Sequence, residues 1–338
     1  MKLNDIFRDG MVLQHGKPVR IFGEAKGRVS VSFDGESRTV DTDGKWMVEF
    51  AARSCGGPYE LSATCGGENI VIKDIMVGEL LLCSGQSNME LTMAEEVTPK
   101  SEYVSDPLLR IYIGGRCADG QFLPNSEGWV KAQTDNVDSW SALAYLTGLR
   151  IRRECGCAVG VIVCAQGATG IQAWSDESCF AGENSHMANH FCSNPDCSWF
   201  NELSCLYHFM IEPLMPISLA GVIWYQGESN SYPNEAENYE KMLDMMIDDW
   251  RKGFSDEELP FCVVVLADYL QSSNRDLWSI VQKAQETVCR RVPYTFSVKS
   301  ADLCENDNIH PPTKHKLAGR IYEAIKQNNV IGIDRVGN

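Results

Sequence analysis

Cys83-Ser84-Gly85-Gln86-Ser87-Asn88-Met89-Glu90 closes an apolar run over residues 75–82 and decides how the rest of the chain is read. A buried strand that ends in a Gly-Gln-Ser-Asn tip sets hydroxyl and amide groups at its carboxyl end, where open α/β sheets carry their sites. Two later stretches share the design. Gly160-Val161-Ile162-Val163-Cys164 runs into Ala165-Gln166-Gly167-Ala168-Thr169-Gly170, and Gly221-Val222-Ile223-Trp224-Tyr225 runs into Gln226-Gly227-Glu228-Ser229-Asn230. Three such tips predict one edge of one sheet, with Ser87 as its nucleophile.

With 338 residues, 44% of them hydrophobic and 22% charged, the chain is long and apolar enough to bury a large core. A formal net charge of −16 argues against nucleic acid or an anionic membrane surface as partner. No apolar run approaches the roughly 20 residues of a bilayer span. The opening residues lack the apolar core of a signal peptide, so the expected location is cytoplasmic. The 14 cysteines are scattered, several inside apolar runs, which reads as reduced thiols rather than a disulfide scaffold.

Residues 1–73 read as antiparallel β-structure, with turn signals at Asp34-Gly35, Asp43-Gly44 and Gly66-Gly67. Three hairpin signals at short spacing predict a small, jelly-roll-like β-sandwich domain. From residue 74 strands alternate with helices, the pattern of a mainly parallel sheet, so residues 74–338 are expected to form a three-layer α/β/α domain. Helices are predicted over residues 139–155, 234–250, 275–290 and 313–327, and further strands over 261–266 and 294–298. In the second helix Tyr239, Met242, Leu243, Met246, Ile247 and Trp250 share one face. Residues 175–204, rich in Asn, Ser, Cys and His, read as a long loop beside the site.

A serine nucleophile needs a histidine to take its proton and a carboxylate to orient the imidazole. Of six histidines, His310 stands three residues after Asp307 and beyond the last predicted strand, hence on the same edge as Ser87. Asp307 can reach the Nδ1 side of that ring, leaving Nε2 for the serine.

Gly85-Gln86-Ser87-Asn88-Met89, Trp224-Tyr225-Gln226-Gly227-Glu228-Ser229-Asn230 and Asp307-x-x-His310-Pro311 resemble the blocks of the SGNH (GDSL-like) hydrolases, nearest their sialate O-acetylesterase and carbohydrate acetylesterase branch. Asp9-Gly10-Met11-Val12-Leu13-Gln14, Asp43-Gly44-Lys45-Trp46 and Gly57-Pro58-Tyr59 resemble that branch's N-terminal β-domain. The resemblance implies a serine esterase that removes O-acetyl groups from a carbohydrate without metal or cofactor. Ser87 would be nucleophile, His310 base and Asp307 its orienting carboxylate. The oxyanion hole would combine the Ser87 N–H, the Gly167 N–H and the side-chain amide of Gln226. Where relatives carry Gly-Gly-Thr, this chain has Gly167-Ala168-Thr169. Acetylated plant polysaccharide is the alternative substrate, and a non-catalytic sugar-binding protein the reading from another class.

Four further residues have two readings each. Glu228 is a buttress or an auxiliary acid; Asn88 and Asn230 fix loops or touch substrate; Trp174 lines an acyl or sugar pocket or packs in the core. Cys179, His186, His190, Cys192, Cys197 and Cys205 fit no zinc spacing and are read as loop residues.

Overall fold

The computed structural model describes residues 1–269, 271–304 and 308–332. Its strands are β1 (Lys2–Leu3), β2 (Val12–Gln14), β3 (Val19–Phe33), β4 (Glu36–Phe50), β5 (Gly56–Cys65), β6 (Glu68–Gly85), β7 (Asp106–Ile113), β8 (Gly115–Ala118), β9 (Gln121–Pro124), β10 (Trp129–Ala132), β11 (Ala158–Ala165), β12 (Gly221–Tyr225), β13 (Phe261–Val265) and β14 (Thr295–Lys299). The helices are α1 (Ser87–Glu90), α2 (Ala142–Cys155), α3 (Tyr239–Gly253), α4 (Arg275–Arg291) and α5 (Lys314–Gln327).

The parallel part runs β7-β11-β6-β12-β13-β14, with β10 antiparallel on the β7 edge. Unbroken burial of β11, β12 and β13 is what strands covered on both faces require. Helix α2 packs with α5 and α3 with α4, and these pairs lie against the strands. Each helix buries a stripe: Tyr239, Met242, Leu243, Met246, Ile247 and Trp250 in α3, for example. Ser141 rather than Ser139 caps α2, its hydroxyl accepting from the Ala144 N–H at 3.2 Å. A short 3₁₀ turn precedes α3, which begins at Tyr239 instead of residue 234.

The N-terminal strands are antiparallel as expected, and two of the three turn signals make hairpins. Asp34 and Gly35 both hold positive φ between Phe33 and Glu36, as do Gly66 and Gly67 between Cys65 and Glu68. Asp43-Gly44 does not turn. It lies inside β4, opposite Ala25 and Lys26, because the full 15-residue ladder with β3 holds it extended. The expected division at residues 73 and 74 falls inside the 18-residue β6. Up to Val77 this strand pairs with β5; from Met76 it pairs with β2 and then with β11 and β12. Both parts therefore belong to one hydrogen-bonded sheet. Buried Arg110 staples the crossing point, donating to Gly10 O, Asp74 O and Asp74 Oδ1. Among the described residues no helix is long and apolar enough to cross a membrane.

Candidate active site

Strand register brings the three predicted tips to one level. Gly85 of β6 lies opposite Ala165 of β11 on one side and Tyr225 of β12 on the other. Gly85 is obligatory there: its φ is +141°, and a Cβ would meet the Tyr225 carbonyl oxygen at 2.1 Å. The Gln86 N–H bonds the Tyr225 carbonyl, its side-chain oxygen accepts from the N–H groups of Gly227 and Ser229, and the chain turns into α1 with Ser87 first.

The Ser87 Oγ lies 2.7 Å from His310 Nε2. That contact joins residues 223 apart in sequence, a distance the loop after β14 closes. The His310 N–H is fixed by Asn308 Oδ1 at 3.0 Å. Burial of the ring and the nearby Lys314 charge press its pKa below the ordinary 6.5, while Glu95 opposes them. Asp307 lies outside the described residues.

Ser87 is the first residue of α1, so its backbone N–H has no acceptor within that helix. Gly167 lies against Ser87, and a Cβ there would sit 3.3 Å from the serine Cβ. Its N–H donates at 2.7 Å to Glu90 Oε2. Burial raises the Glu90 pKa, which the Gly167 N–H and the Arg116 charge partly offset. Arg116 is exposed on β8, a strand docked on the same edge by the Cys117 N–H to Gln166 Oε1 bond of 3.1 Å. Among the described residues it has no hydrogen-bond or ion-pair partner.

Gln226 is not brought to the serine. Its side chain is fully buried, with Nε2 donating to Thr169 O and Asn230 Oδ1, both at 2.8 Å, and Oε1 accepting from Tyr239 OH at 2.9 Å. Both amide hydrogens are committed, so the expected third oxyanion donor is instead an interior tie between the Thr169 and Asn230 loops. Asn230 completes that tie, accepting from the Ile171 N–H and donating to Gln172 and Glu235. Trp174 is wholly buried, its ring edge-on to Trp224 at 6.1 Å and its Nε1–H on Thr169 Oγ1. No wall of a substrate pocket is left to it.

Asn88 and Glu228 form a buried pair beneath the serine. Asn88 Nδ2 donates to Glu228 Oε1 at 2.7 Å and to Ile309 O at 2.9 Å. Desolvation pushes the Glu228 carboxyl up to about 7, and its Oε2 has no hydrogen-bond partner among the described residues. The Cys and His residues of the long loop do not converge: His190 bonds Glu235, His186 bonds Glu183 O, Cys192 faces Asn194 O and Cys205 faces Phe200 O. Asp176, Glu177 and His208 do come together, but both nitrogens of His208 are already held by Glu177 and Glu212. A cavity of about 750 Å³ lies between Phe22 and Trp46 and the 208–216 segment, and its lining includes neither Ser87 nor His310.

The family model for carbohydrate esterases, sialic acid-specific acetylesterase, matches residues 77–326. The chain belongs to that acetylesterase family. Like its members, it is a carboxylic ester hydrolase that deacetylates carbohydrate. Sialate O-acetylesterase of Mus musculus is 26% identical over 381 residues, covering 92% of this chain and 70% of the mouse protein. That of Homo sapiens is 27% identical over 314 residues, covering 82% and 59%. XAC1771, a carbohydrate acetylesterase from Xanthomonas citri, superposes with a TM-score of 0.84 at 28% identity, over 96% of this chain and 74% of its own. The sequence reading of this acetylesterase passed over Lys314 and gave Glu90 no role. For Lys314 a signal existed: it continues the buried stripe Leu317, Ala318, Ile321 and Ile325 of α5, where a lysine is out of place.

Proposed function

We propose that the chain removes O-acetyl groups from a sialate through an acetyl-enzyme on Ser87. The observation that carries this reading is the 2.7 Å contact between Ser87 Oγ and His310 Nε2 at the common end of β6, β11 and β12. Neutral His310 takes the hydroxyl proton as Oγ attacks the acetyl carbonyl, and the resulting oxyanion forms beside the Ser87 and Gly167 N–H groups. Glu90 must give up the Gly167 N–H as that charge develops. Protonated His310 then hands its proton to the departing sugar oxygen. A water, deprotonated by the same ring, releases acetate. Asp307 is assigned to the Nδ1 side of His310 on its spacing alone.

Arg116 favours a substrate with a carboxylate over a neutral acetylated sugar, since its guanidinium, near Glu90, has no partner among the described residues. Residues 1–73, taken as a β-sandwich-like module beside a three-layer α/β/α catalytic part, supply none of the side chains assigned to the chemistry. The test is acetate release from acetylated sialates and acetylated xylosides. Ser87→Ala should lose more than about 10³-fold in rate while remaining folded. An organophosphorus reagent should label Ser87, and labelling of another serine would refute the assignment.

A further inference from the structure

We propose that Lys314 is a positioning residue for the Ser87–His310 pair, acting through Asn88. The inference rests on the reading of that pair as nucleophile and base. Lys314 Nζ donates at 2.6 Å to Asn88 Oδ1. Asn88 in turn spends both hydrogens on Glu228 Oε1 and on the carbonyl of Ile309. Asn88 is the neighbour of Ser87 and Ile309 the neighbour of His310. One amide therefore ties the residue after the nucleophile to the residue before the base, and Lys314 fixes which way that amide points. A flipped Asn88 would set its oxygen against those two acceptors and its NH2 against the ammonium, so Lys314 reinforces the one orientation that satisfies all three partners.

The location of the lysine argues that it is kept for this purpose. It is 2% exposed, stands in the first residue of α5, where the helix dipole disfavours a cation, and has no carboxylate within ion-pair distance among the described residues. Its Nζ lies 5.7 Å from the Tyr225 ring centre. Desolvation lowers its pKa to about 8 against the pull of Glu228, Glu96, Cys304 and Glu95. The charge has a second effect. With Glu95 as the opposing carboxylate, it disfavours protonation of His310, the ring that must be neutral to act as base.

The experiment uses the full chain and p-nitrophenyl acetate, with Lys314→Met, the double variant Lys314→Met/Glu228→Gln, Ser87→Ala and His310→Ala. The double variant also removes the buried Glu228 carboxylate, whose charge the ammonium partly offsets, and keeps the test open should the single variant fail to fold. In either lysine variant kcat should fall about 10- to 100-fold with KM within about twofold, since misplacement costs the transition state rather than binding. The acid limb of the pH–rate profile should also move upward, on the order of half a pH unit, because a cation near the imidazole is gone. A rate loss equal at every pH, with the limb unmoved, means a merely structural lysine and overturns the proposal. So does a kcat within twofold of the parent in the double variant. Activity surviving in Ser87→Ala and His310→Ala would instead remove the underlying reading, a separate failure seen in separate proteins.

Discussion

Replacing Gln226 by alanine separates an interior tie from an oxyanion donor, because the two roles predict opposite pairs of measurements. The side chain makes three hydrogen bonds in a site with no solvent: Nε2 to Thr169 O, Nε2 to Asn230 Oδ1 and Tyr239 OH to Oε1. Asn230 Oδ1 keeps the Ile171 N–H and Tyr239 OH keeps the Gln226 carbonyl, so two of the three partners retain a bond. Each lost bond is worth about 1 kcal/mol net, and the stranded Thr169 carbonyl and the small cavity add about 1–2 kcal/mol more. Gln226→Ala should therefore destabilise the protein by about 4–5 kcal/mol. Gln226→Glu should do at least as much harm, since its carboxylate would face two acceptors that cannot turn. Urea unfolding gives the stability, and kcat per folded molecule at low temperature gives the chemistry, expected within about tenfold of the parent. A variant as stable as the parent but slower by about 10²–10³ would mean that Gln226 swings to the oxyanion during the reaction, and the argument from its committed hydrogens would be wrong.

The kcat/KM profile should fall on the acid side through a pKa below the ordinary histidine value of about 6.5, since burial and Lys314 both disfavour the imidazolium that cannot act as base; an acid limb centred above pH 7 would contradict this. Ala168→Gly should raise stability by about 0.5–1 kcal/mol in urea, because alanine there is held at φ 60°, a left-handed conformation that costs little only for glycine; no gain, or a loss, would show that the strain is absent. Arg116→Gln should weaken kcat/KM for an acetylated sialate about 10-fold or more and abolish its decline with added salt, while leaving an acetylated xyloside unchanged; equal effects on both sugars would exclude carboxylate recognition.

What the sequence made legible was whatever burial and periodicity dictate locally. The apolar runs ending at Gly85, Ala165 and Tyr225 could only be interior strands, and their polar tips had to emerge at one edge. Helix faces followed from 3.6-residue spacing, as in α3, where the six residues expected to share a face are all buried. Properties set by distant partners were hidden. Asp43-Gly44 carries a turn signature, but a ladder 15 residues long outweighs it. The change of pattern near residue 74 looks like a domain boundary because the neighbours of β6 change there, although the strand itself does not stop. The role of Gln226 depends on Asn230 in its own block but also on Thr169 and Tyr239 from two other segments, and no motif at its own position records those two.

The strand that carries Ser87 behaves as a beam clamped along its length: β5 and β2 hold the near end, β11 and β12 the far one. Grafting the first 73 residues from a relative would thus not be a neutral exchange of an appendage. The donor segment would have to reproduce the pairing of Val12, Leu13 and Gln14 with Met76, Val77 and Gly78, and the Arg110 staple at Asp74. A slip of one residue there would invert the facing of every side chain in the transplanted strand. Chimeras that keep this register should retain catalysis, and those that lose it should fail at the serine, nine residues beyond the last of those contacts.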